Sequence, residues 1–168
     1  MVPGDSKNLF HAPKGPYATA ELSRGTGADL YTPVRTFTLL NPVAPVDLFL
    51  TDTGHLIAFD NWHNMGYGKV AVLYRPDGSV VRAYSLEDLF SAEDLARIAP
   101  SVFSKWWRMP LNGLTFSSEG EGPKLASGQR SICIATEIKG RNLEFDLETG
   151  GFAPRAEGQC TPLRYERK

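Results

Sequence analysis

The chain has 168 residues, of which 42% are hydrophobic, with 18 basic and 19 acidic side chains and a formal net charge of -1. That length can bury a real core. The even mixture of charge argues against a polyanion-binding surface, which needs a concentrated basic patch, and no apolar run approaches the ~20 residues of a membrane span.

In chain order, residues 1–16 hold three Pro and two Gly without apolar periodicity, which predicts an extended arm. The segment also lacks the apolar core of a signal peptide. Tyr17–Leu22 reads as a strand, Ser23–Gly27 as a Gly-containing turn and Leu30–Leu40 as the partner strand. Asn41-Pro42 and Ala44-Pro45 then interrupt the ladder, because Pro has no N–H to donate.

Residues 46–84 carry the clearest pattern. Apolar runs flank turns at Asp52-Thr53-Gly54 and Pro76-Asp77-Gly78, where Gly supplies the positive φ that closes a tight turn. Val70–Tyr74 is apolar throughout, as in a strand buried on both faces, whereas Ser79–Tyr84 partly alternates. The expectation is a four-stranded antiparallel meander, the unit of a sandwich, barrel or propeller blade.

Ser85-Leu86-Glu87-Asp88 and Ser91-Ala92-Glu93-Asp94 each place an acidic residue three after a Ser, the pattern of a capping box. With Pro100 as a stop, they predict a short helical insertion within residues 86–99, a single turn followed by about two more. Ser101–Pro110 is an aromatic connector, Gly113–Ser118 a candidate strand, and residues 117–128 the best candidate for a flexible loop. Ser131–Ile138 and Asn142–Leu147 form a further hairpin, and Phe152 begins a tail of unassigned structure.

The whole reads as one all-β domain spanning residues 1–168, made of antiparallel meanders in a partial-propeller-like or open twisted sheet, with a β-sandwich as the alternative. Side by side, VAVLYRPDGSVVRAYSL and SICIATEIKGRNLEFDLETG share a strand–turn–strand pattern, with a weaker version at Ala18–Leu39.

Candidate site residues concentrate in FDNWHNMGYG. Trp62 and Tyr67 offer flat contact faces, while Asp60 and His63 offer hydrogen bonds and a titrating group. The plainer reading is a hairpin connection whose Trp62 plugs the edge of the core and whose Asp and Asn side chains satisfy turn amides. Trp106, Trp107 and Arg108 form a second candidate binding surface, against the alternative that one Trp is buried with the Arg laid over it. His55, Asp60 and His63 match no established metal spacing, so no metal or other cofactor is expected, and no catalytic residue is assigned. Cys133 and Cys160 form no C-x-x-C pair. They read either as a buried thiol plus a thiol in the tail, or as one disulfide pinning the tail to the sheet.

The core TDTGHLIAFDNWHNMGYGKVAVLYRPDGSVVRAYSLEDL, with the later SVFSKWWR, resembles a family of uncharacterised bacterial proteins with propeller-like β-repeats. The resemblance implies a β-rich fold and an exported location, and with export it implies that Cys133 and Cys160 can pair. Three units are fewer than the four to eight blades of a closed propeller. The functional expectation is a non-enzymatic binding or protein-interaction module, with a protein or small ligand as partner and no nucleic acid. A small metal-dependent or hydrolase-like enzyme centred on residues 55–68 is the alternative.

Overall fold

A computed structural model of the chain describes residues 17–27, 30–51, 53–62, 64–108 and 130–162. Among these, 45% lie in strands and 8% in helix, all the sheets are antiparallel, and none closes into a barrel. The predicted arm at 1–16, His63, the candidate strand at 113–118 and the loop at 117–128 lie outside the described residues.

Strands β1 (Thr19–Gly27) and β2 (Leu30–Thr38) form a hairpin. The expected turn at Ser23–Gly27 is instead strand. Register shifts between Leu22 and Ser23 and between Gly25 and Gly27 absorb the irregular residues, so the ladder continues to Gly27 opposite Leu30. β3 (Asp47–Leu50), β4 (Leu56–Phe59), β5 (Ala71–Tyr74) and β6 (Val80–Tyr84) form the central meander in sequence order. Both expected turns are present: Gly54 donates to the Thr51 carbonyl and Gly78 to that of Arg75, each with φ above +80°.

The short helices α1 (Leu86–Leu89) and α2 (Ala92–Arg97) follow. At their starts the Ser85 backbone N–H donates to Asp88 Oδ2 (2.7 Å), and the Asp94 N–H donates to Ser91 Oγ (3.2 Å). These bonds satisfy amides that a helix start leaves open. The third sheet comprises β7 (Ser131–Ala135), β8 (Arg141–Asp146) and β9 (Phe152–Ala156). Pro154 and Arg155 break the apolar pattern of β9, which hides it in the sequence, yet as an edge strand it tolerates both.

Alternation along the strands gives the central sheet two buried faces. Phe49, Ile57, Phe59, Ala71 and Leu73 point to a core shared with Leu86, Trp107, Ile134, Leu143 and Phe145. Aromatic rings join the two sheets there: Phe59 and Tyr84 lie 5.6 and 6.1 Å from Phe145, and the Tyr84 hydroxyl donates to the Gly150 carbonyl. The other face carries Ala58, Val72 and Tyr74, covered by Ala18, Ala20 and Leu39 from the hairpin segment. β5 is therefore apolar at every position because each of its faces meets another layer. A disulfide between Cys133 on β7 and Cys160 beyond β9 closes a loop of 27 residues, so the tail is tied back to the sheet.

Candidate functional site

The loop from Asp60 to Val70 leaves β4 at the end of the sheet where β3 begins. Asp60 itself takes φ +57°, the left-handed conformation that Asp and Asn adopt more readily than other side-chain-bearing residues. That kink turns its fully buried carboxylate inward as the hub of three segments. Oδ1 accepts from the Gly66 N–H (2.9 Å) and from Trp107 Nε1 (2.8 Å), and Oδ2 accepts from Arg108 Nε (2.7 Å). Its backbone carbonyl accepts from Asn41 Nδ2 (2.7 Å).

Arg108 is fully buried and lies between two carboxylates. Its Nη2 sits 2.5 Å from Asp47 Oδ2 as an ion pair, and its Nη1 has no hydrogen-bond partner among the described residues. The guanidinium also lies 5.4 Å from the Phe59 ring centroid and 5.8 Å from that of Trp107. Burial pushes the Asp47 carboxyl above its ordinary range; Arg108 pulls it down and Asp60 adds to the rise. Asp47 is not among the candidates that the sequence suggests. The available signal is an acid opening an apolar strand, in PVDLFL, which needs a cation or hydrogen-bond donors beside it once the fold buries it.

The same hub joins loop 60–68 to residues 104–108. Lys105 N–H donates to the Met65 carbonyl (2.8 Å), and the Lys105 ammonium stands 5.3 Å over the Tyr67 ring. Gly66, at φ +78°, sits so close that an added Cβ would lie 2.5 Å from the Lys105 carbonyl oxygen. Trp62 N–H donates to the Ala44 carbonyl (2.8 Å), which ties the loop's other side to the segment before β3.

The sequence candidates thus divide by burial. Asp60, Trp107 and Arg108 belong to the buried network, so none of them offers a surface to a ligand. Trp62, Tyr67 and Trp106 are 45%, 42% and 44% exposed. Trp62 therefore does not plug the core; Trp107 occupies that role, packed 6.0 Å from Phe90 and 6.4 Å from Phe59. Beside Trp106, Pro100 and Lys105 bridge a tight turn that presents Val102 and Phe103 to solvent.

His55 lies at the opposite end of β4 from Asp60, its Nδ1 3.0 Å from Thr53 Oγ1. Five residue steps of extended chain separate the two, roughly 16 Å, so they do not share a metal site. Among the described residues no group of three His, Cys, Asp or Glu side chains is placed to hold a metal ion, and no helix is long and apolar enough to cross a membrane. No protein-family model, curated protein or solved structure matches the chain, so its fold and its candidate site stand on their own geometry.

Proposed function

We propose that the protein is a non-enzymatic binding module of antiparallel β-repeats, whose contact surface is built from Trp62, Tyr67 and Trp106 with Val102, Phe103 and Lys105 beside them. One observation carries this reading. Asp47, Asp60 and Arg108 are consumed in a buried network, while the large aromatics on the segments it clamps stay nearly half exposed. Aromatic side chains of this kind supply contact area at low entropic cost and dominate binding energetics. Fixing them on hydrogen-bonded segments lowers the ordering cost of association.

Hydrolase-like or metal-dependent chemistry centred on residues 55–68 gains no support, because His55 and Asp60 stand at opposite ends of β4. The test is a panel of oligosaccharides and short peptides titrated against labelled protein while the indole N–H resonances are followed. A ligand that shifts Trp62 and Trp106, and loses binding in folded Trp62→Ala and Trp106→Ala variants, supports the reading. A panel without such a ligand, or ligands that leave both indoles unmoved, counts against it.

A further inference from the structure

A second site lies away from the aromatic surface and does not depend on it. An apolar cleft of about 180 Å³ opens between the hairpin and the side of the central sheet, lined by Ala20 and Leu22 of β1, Phe37 of β2, and Leu48, Leu50 and Leu56. Glu21 and Gly54 complete its rim.

Ladder geometry shows what borders this cleft. Thr51 N–H donates to the His55 carbonyl, so the pairs Phe49–Ile57 and Asp47–Phe59 are the hydrogen-bonded ones in β3–β4. Leu48 and Leu50 are the alternating positions, so their N–H and C=O groups point away from β4 to the free edge of the sheet. In the hairpin, Leu39 N–H donates to the Ala18 carbonyl, which by the same alternation turns the backbone groups of Glu21 away from β2. Among the described residues the cleft is thus flanked by two strand edges without a partner strand, and Leu50 is 42% exposed beside it.

A strand edge with free N–H and C=O groups is a template for another strand. β3 is short, four residues, but between Asp47 and Leu50 it carries no Pro, no Lys and no bulge to block pairing. Charge narrows the occupant. Among the described residues Glu21 is the one charged residue lining the cleft, where it accepts from the Ser23 hydroxyl (3.2 Å) and forms no ion pair.

We infer that the β3 edge and its cleft accept an extended peptide segment of a partner protein, by strand addition. Alternate apolar side chains of that segment fill the cleft, and a flanking Lys or Arg faces Glu21. Main-chain hydrogen bonds to Leu48 and Leu50 supply affinity, while the cleft and the acid supply sequence preference.

The probe is a capped peptide of alternating Val and Thr with a Lys at each end, titrated against the full chain. Saturable shifts at the Leu48 and Leu50 amides are expected, with their hydrogen exchange slowed at least tenfold. N-methylation of the peptide backbone at alternate positions, or Leu50→Lys in the protein, should weaken binding at least tenfold. Replacing the peptide's Lys with Glu should weaken it several-fold. Equal binding by the N-methylated peptide, unchanged exchange at both amides with millimolar peptide, or shifts confined to Tyr67 and Lys105 would overturn the inference.

Discussion

Asp60→Asn tests whether the buried carboxylate holds the candidate site together. The two side chains are nearly isosteric, and Asn also tolerates the φ of +57°, so the backbone contributes little to the difference. Three donors converge on the side chain: Gly66 N–H and Trp107 Nε1 at one oxygen, Arg108 Nε at the other. A carboxylate accepts at both oxygens, whereas an amide accepts at one and donates at the other. With the amide nitrogen toward Arg108, two donors face each other and a charge-assisted bond is lost, worth about 1.5–3 kcal/mol. With the amide flipped, the conflict moves to Gly66 and Trp107. Either way a buried donor is left unmet, a further 1–3 kcal/mol or so.

Asp47 still faces Arg108 in the variant, which keeps the cation from being wholly unpaired. The expected loss is therefore about 3–5 kcal/mol, the range for breaking a buried pair. Urea unfolding followed by tryptophan fluorescence and far-UV circular dichroism measures it, and hydrogen exchange at Lys105 N–H reports the clamp to Met65. A loss within about 1 kcal/mol, with Lys105 exchange unchanged, would refute the hub.

Truncating Trp107 to Ala should cost about 3–5 kcal/mol, as for core aromatics, while Trp62→Ala, at 45% exposure, should cost about 1 kcal/mol or less; equal losses in urea unfolding would contradict the assigned burial. Gly66→Ala should destabilise by more than the ~1 kcal/mol of an ordinary Gly→Ala change, since its Cβ meets the Lys105 carbonyl at 2.5 Å; a wild-type unfolding midpoint would show that the contact yields freely. Burial pushes the Tyr74 hydroxyl up to about 12, against the Leu40 N–H that donates to it. The folded state thus keeps a proton that the unfolded chain releases near pH 10, so this contribution to stability is full below pH 10 and lost as pH rises toward 12. Absorbance titration should show a late tyrosine component near pH 12 that Tyr74→Phe removes, and a titration unchanged by Tyr74→Phe would refute it. Replacing Cys133 and Cys160 together by Ala should cost about 3.5 kcal/mol, from the chain-entropy value for the 27-residue loop; unchanged urea stability would refute the entropic account.

What the sequence determined is local. Gly at 54 and 78 fixes two turns, because positive φ is cheap only without a Cβ, and the apolar runs between them fix four strands in order. Ser85 and Ser91, each with an acid three residues on, fix where the helices begin. Tertiary structure decided the rest. β9 exists because β8 offers an edge, although Pro154 and Arg155 argue otherwise locally. β1 runs through its Gly-containing stretch because β2 pairs with it and bulges absorb the mismatch. The sequence of FDNWHNMGYG marked a special loop but could not tell an exposed aromatic from a buried one. Trp62 and Trp107 have the same intrinsic chemistry, and what separates them is the distant residue that each meets. Trp107 finds the Asp60 carboxylate across 47 residues of chain and is drawn into the core with Arg108, while Trp62 is left half in solvent. Charge pairing and burial act through space, so no spacing along the chain could announce that Asp47, Asp60 and Arg108 meet.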